Sequence, residues 1–267
     1  MSALMLLALA GMGVVAGLLA GLLGVGGGLV LVPVLVWVME GSGMTQDVQH
    51  LALGTSLAVM VFTSFASVRA HHQHGAVDWA IVRRFAPPIV LGTLLGTQVA
   101  GWLPSRELRW FFVLYAYVIA LQMLLDAKPK GGRALPGVLG LSGVGGLIGL
   151  ISSFVGIGGG SMSVPFMTWC NVPMQRAIAT SAALGWPIAL SGALGYMLSG
   201  WGRSGLPMYS VGFVYLPAVA TLCLITMRTA PIGARLAHSL PVAKLKKAFA
   251  GVMILTATQL LWKLLHG

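Results

Sequence analysis

The strongest constraint on this chain is where its charges are missing. No charged residue precedes Glu40, and none falls between Arg133 and Arg176. Uncharged apolar runs of about 18 residues or more are long enough to cross a bilayer, and such runs recur along the 267 residues. Only 8% of residues are charged, against about 25% in a soluble domain. The chain reads as an integral membrane protein whose fold is the membrane core itself, with the lipid bilayer as its main partner.

A net charge of +11 raises the question of nucleic acid. The basic residues stand singly or in small groups between apolar runs, so that partner is excluded. They form the orientation signal of a membrane protein instead. The N-terminal run has no basic leader and stays apolar past residue 30, as a retained helix does and a signal peptide does not. Cys170 and Cys223 form no CxxC pattern and read as inert thiols. No P-loop is present, so nucleotide-driven pumping by that route is excluded. No cofactor and no catalysis are expected.

The chain repeats itself. Gly24-Val-Gly-Gly-Gly-Leu-Val-Leu-Val-Pro33 matches Gly156-Ile-Gly-Gly-Gly-Ser-Met-Ser-Val-Pro165, and Ala52-Leu-Gly-Thr-Ser56 matches Ala177-Ile-Ala-Thr-Ser181. The stretch from Gly96 to Leu125 aligns without gaps to Gly233 to Trp262, including Leu103-Pro104 with Leu240-Pro241. Two homologous transmembrane halves follow, 1–127 and 134–267, joined by a polar linker at 128–133.

Each half holds five apolar segments, near 3–24, 28–39, 47–69, 79–103 and 106–126, then 135–156, 160–170, 175–199, 207–239 and 242–265. The second of each set is short. At 1.5 Å per residue, twelve residues reach only about 18 Å of a core of about 30 Å. With all five segments crossing and the N-terminus outside, ten Lys and Arg face the cytoplasm and four face out. Arg228 and Arg235 fall within a segment and are left out of that division. Without the short crossings the split is eight to six. The positive-inside rule favours the first arrangement, which puts the linker in the cytoplasm. Five crossings per half make the halves inverted copies. The expected fold is therefore all-α, about ten helical segments in two inverted five-segment repeats with glycine-broken helices, in a bacterial cytoplasmic membrane.

The candidate site rests on those breaks. Three consecutive glycines unwind a helix, at about 1 kcal/mol each relative to alanine, and unwound backbone inside a membrane must be buried or line a cavity. The helix restarting at Leu29 or Ser161 offers free N–H groups and a positive dipole end to an anion. Gly26, Gly27, Gly28, Gly158, Gly159 and Gly160 are candidates on this ground, with close helix packing as the alternative. Packing is the reading for the four-residue stripes Gly13, Gly17 and Gly21, Gly92 with Gly96, and Gly145 with Gly149. Thr55, Ser56, Thr180 and Ser181 can donate to an oxyanion without adding charge, or simply bond between helices. Ser161 and Ser163 occur only in the second half. Gln49 and Gln175 precede the Thr-Ser pairs and read as interfacial. Arg228, inside a long apolar segment, can attract an anion or snorkel to the interface. His71, His72 and His74 read as a solvated cytoplasmic loop and supply no metal site. Glu40 and Asp47 flank an outer loop.

These paired glycine motifs, together with Gln175-Arg-Ala-Ile-Ala-Thr-Ser181 and Pro231-Ile-Gly-Ala-Arg-Leu-Ala-His238, resemble the TauE/SafE sulfite exporter family, also known as TSUP or DUF81. The resemblance covers nearly the whole chain. It implies transport, usually outward, of sulfite, thiosulfate, organosulfonates or related small anions. Proton or ion coupling and a homodimer stay open. An anion channel and a thiol-dependent sulfur-delivery protein are the rival readings, and no base accompanies either cysteine to support the second.

Overall fold

The computed structural model describes residues 3–23, 27–125, 132, 135–236 and 242–266. Ten helices follow in order: α1 (Ala3–Leu23), α2 (Gly28–Gly41), α3 (Val48–Gln73), α4 (Trp79–Trp102), α5 (Ser105–Leu124), α6 (Val138–Val155), α7 (Gly160–Trp169), α8 (Met174–Ser199), α9 (Leu216–Leu236) and α10 (Val242–His266). Six of them, α3, α5, α6, α8, α9 and α10, contain stretches long and apolar enough to cross a bilayer. The short second segments are real helices of 14 and 10 residues. Apart from Gly132, the 128–133 linker lies outside the described residues.

Burial departs from that of a water-soluble domain in two respects. Leu91, Leu95, Leu114, Leu139 and Leu147 are exposed, while Gln49, His50, Thr55, Ser56, Thr93, Thr97, Ser152 and Ser181 are buried. Lipid-facing apolar side chains and a hydroxyl-rich interior are what a bilayer requires, because a buried hydroxyl finds a partner in protein and none in hydrocarbon.

The packing runs through small residues. Along α1, Gly13, Gly17 and Gly21 meet Leu222, Thr226 and Ala230 of α9 in rising order, so the two helices run parallel. Along α4, Gly92 meets Gly146 and Gly96 meets Leu150 of α6, again in parallel. Helix α8 runs parallel to α4, with Gly192 at Thr93 and Gly195 at Thr97. It runs against α3, with Gly185 at Ser64 and Gly192 at Leu57. Thr63 Oγ1 donates to Thr226 Oγ1 at 2.6 Å, tying α3 to α9. Helices α5 and α10 pack in opposite senses. Arg109 and Lys263 share Glu40, and the Tyr117 hydroxyl lies 2.7 Å from Thr258 Oγ1.

Two segments depart from expectation. Residues 207–215 are not helical: Ser210–Val211 pairs antiparallel with Val214–Tyr215, and α9 starts only at Leu216. Apolar composition alone could not separate this hairpin from the helix after it. The third segment continues past 69 to Gln73, which puts His71 and His72 on a helix. His71 is buried, with Nε2 3.1 Å from the Gly21 carbonyl oxygen.

Candidate functional site at the glycine breaks

The helices after the two breaks are capped in the same way. Gly27 and Gly159, the middle residues of the two triplets, hold φ of 77° and 70°, the left-handed region where a Cβ is disfavoured. Each caps the helix that follows. The Gly27 carbonyl accepts the N–H groups of Val30 and Leu31, both at 3.1 Å, and the Gly159 carbonyl accepts those of Met162 at 3.1 Å and Ser163 at 2.8 Å. The helices therefore start at Gly28 and Gly160. The N–H groups of Gly28, Leu29, Gly160 and Ser161 precede the hydrogen-bonded ladder, at the positive end of each helix.

The two breaks touch. Gly28 lies so close to the Gly156 carbonyl that a Cβ there would overlap it. Ser56 Oγ donates to the same carbonyl at 3.0 Å. Beside the second break, Ser163 Oγ and Ser181 Oγ lie 2.8 Å apart, and Ser161 Oγ lies 2.5 Å from the Tyr115 hydroxyl of α5. Ser152 Oγ is buried with no partner among the described residues, and a Cβ at Gly159 would come within 3.3 Å of it. The result is a buried cluster of hydroxyls and helix N-termini in which Ser56, Ser161, Ser163 and Ser181 bond to uncharged groups. Such a cluster can receive an oxyanion by replacing its water with N–H and O–H donors, without burying a lysine.

The threonines take another role. Thr55 Oγ1 accepts the N–H of Tyr215, just before α9, and Thr180 Oγ1 accepts that of Asp78, just before α4, each at 3.0 Å. Each threonine holds the entry to a helix of the opposite half. The Gly158 carbonyl backs onto Gly185 of α8. Gly26 lies outside the described residues. Arg228 is exposed on α9 and Gln175 is exposed on α8. Gln49, by contrast, is fully buried, and neither amide atom has a partner among the described residues. It sits seven residues, about two turns, before Ser56 on the same face of α3.

Tyr115 and Ser152 were not found from the sequence. The repeat supplied the search pattern: Tyr115 aligns there with the apolar Val252, and Ser152 lies before the matched glycines. The one available signal was the Ser152-Ser153 pair, polar within an otherwise apolar run ending at the break.

The family model described as sulfite exporter TauE/SafE matches residues 9–260. A probable membrane transporter protein of Haemophilus influenzae is 38% identical over 257 residues, covering 94% of this chain and 96% of the relative. The probable membrane transporter protein YunE of Bacillus subtilis is 29% identical over 211 residues, covering 71% and 77%. A probable membrane transporter protein of Xylella fastidiosa is 28% identical over 262 residues, covering 95% and 94%. No solved structure matches the chain.

Proposed function

Since the chain belongs to the TauE/SafE sulfite exporter family, whose members are membrane transporters and not enzymes, we propose that it carries a small sulfur-containing oxyanion out of the cell. Sulfite, thiosulfate and organosulfonates are the substrate class. Transport is secondary active or driven by the substrate gradient, in a bacterial cytoplasmic membrane. The observation that carries this reading is the meeting of the two breaks at Gly28 and Gly156, with Ser56 on the Gly156 carbonyl and the hydroxyl pairs Ser163–Ser181 and Ser161–Tyr115 on the helix that the second break opens. A sulfur oxyanion presents three or more acceptor oxygens and no donor when fully ionised, which suits a cluster of N–H and O–H groups. Gly26, Gly158, Thr55, Thr180 and Arg228 remain part of the proposed binding set, the threonines by fixing the helices around it.

The two halves, 1–127 and 134–267, form inverted repeats in this account. Support comes from helix direction. Repeat mates α3 and α8 run oppositely, as do α5 and α10. Helix α1 runs with α9, and α6 runs with α4. An inverted pair can rock about a site near the midplane, the usual route to alternating access.

Flux of labelled sulfite, thiosulfate and a sulfonate in proteoliposomes, with and without an imposed pH gradient, tests the proposal. Saturable flux of at least one is expected. Flux of none, or non-saturating conductance, overturns it.

A further inference from the structure

A second polar cluster lies at the far end of α2 from the break. Glu40, at the close of that helix, accepts Arg109 of α5 at 2.8 Å and Lys263 of α10 at 2.6 Å. The three line an open cavity of about 410 Å³ with Trp262 and His266, whose rings stack at 3.9 Å. That volume falls in the range of small-ligand sites. Two cations meet one carboxylate, so the cluster keeps one positive charge. Arg109 is the most enclosed of the three, its side chain 14% exposed, and its Nε–H is buried with no acceptor among the described residues. A half-buried guanidinium with an unspent donor favours a further oxyanion, which takes two N–H groups at once. Lys263, 35% exposed, can turn toward either partner.

We propose that Arg109 and Lys263 form an anion-docking site at the mouth of the transporter, with the Glu40 carboxylate as a resident counter-ion that the passing oxyanion displaces. The proposal rests on the transport reading for its role, since under the orientation above this end faces outward and the site is the last the substrate meets. Competition from Glu40 keeps binding weak, which suits release. Oxyanion chemistry is shared by free sulfite and by a lipid phosphate, so both are tried.

Trp262 supplies the readout. In phosphatidylcholine nanodiscs, the fluorescence lost on Trp262→Phe isolates this residue, and its quenching by iodide is compared with quenching by neutral acrylamide. Iodide should quench preferentially, and excess sulfite should protect. Arg109→Gln and Lys263→Gln should each lower the iodide preference about two- to fivefold, the effect of one partly screened charge, and Glu40→Gln should raise it by a similar factor. Arg109→Lys and Lys263→Arg keep the charge and should retain the preference, which covers the case where a neutral variant fails to fold. Equal quenching by iodide and acrylamide, or a preference unmoved by all three neutral variants, overturns the proposal. So does protection that appears only when phosphatidylglycerol is added and never with sulfite, which assigns the cavity to lipid headgroups. Quenching needs no turnover, so absent flux would refute the transport reading while leaving this test intact.

Discussion

Ser56 of α3 donates its hydroxyl to the carbonyl oxygen of Gly156 at 3.0 Å, across 100 residues of chain. The same carbonyl receives Gly28 from the other break. One peptide group thus joins the first break, the second break and the helix between them. Ser56→Ala removes a buried donor and leaves that carbonyl short of a partner. A loss of about 1–2 kcal/mol is expected, read by thermal unfolding in detergent, together with a fall in sulfite flux. Full flux in a destabilised variant would assign Ser56 to structure alone.

Gly159→Ala and Gly160→Ala should behave differently. At Gly159, φ is 70° and a Cβ would come within 2.6 Å of Ile188, so alanine brings backbone strain and crowding and should destabilise by about 1–3 kcal/mol. Gly160 has no positive φ and opens α7, where alanine is the better helix former. Backbone conformation therefore does not penalise alanine at Gly160 as it does at Gly159. A stable Gly159→Ala protein would count against the left-handed cap.

Gly92→Ala is the packing control. A Cβ there would overlap the Gly146 carbonyl of α6, in the seam between α4 and α6. Overpacking of this kind costs about 1–3 kcal/mol. The variant should melt early yet respond to sulfite as the parent does. Loss of the sulfite response at unchanged stability would place substrate in the α4–α6 seam.

Sequence reading reached the helix order because charge gaps mark spans directly, and it reached the breaks because three glycines in an apolar run have few uses. It failed where one composition serves two structures. Phe213 and Val214 are apolar and buried, but in a hairpin rather than a helix. His71 is polar and looked solvated, yet α3 carries it inward to the Gly21 carbonyl. Thr55 and Thr180 matched the repeat as a pair, and their partners Tyr215 and Asp78 could not be read from spacing, since each lies in the opposite half.

Inversion of the halves predicts sidedness. With Cys170 and Cys223 replaced by alanine, Gly132→Cys should react with impermeant maleimide from the cytoplasm. Ser204→Cys, exposed beside Arg203 at the Asp47 end, should react from outside. Labelling of both from one side would contradict the topology.

The central claim is that the α7 N-terminus binds the anion, and the most direct measurement is sulfite-dependent thermal stabilisation of Gly160→Ala beside the parent and Gly92→Ala. A methyl group at that N-terminus should hold the anion off the free N–H groups. The account predicts that folded Gly160→Ala binds sulfite about tenfold or more weakly than the parent, a loss of about 1.4 kcal/mol, while Gly92→Ala keeps the parental affinity. If Gly160→Ala is stabilised by sulfite as strongly as the parent, the break is structural and the site lies elsewhere.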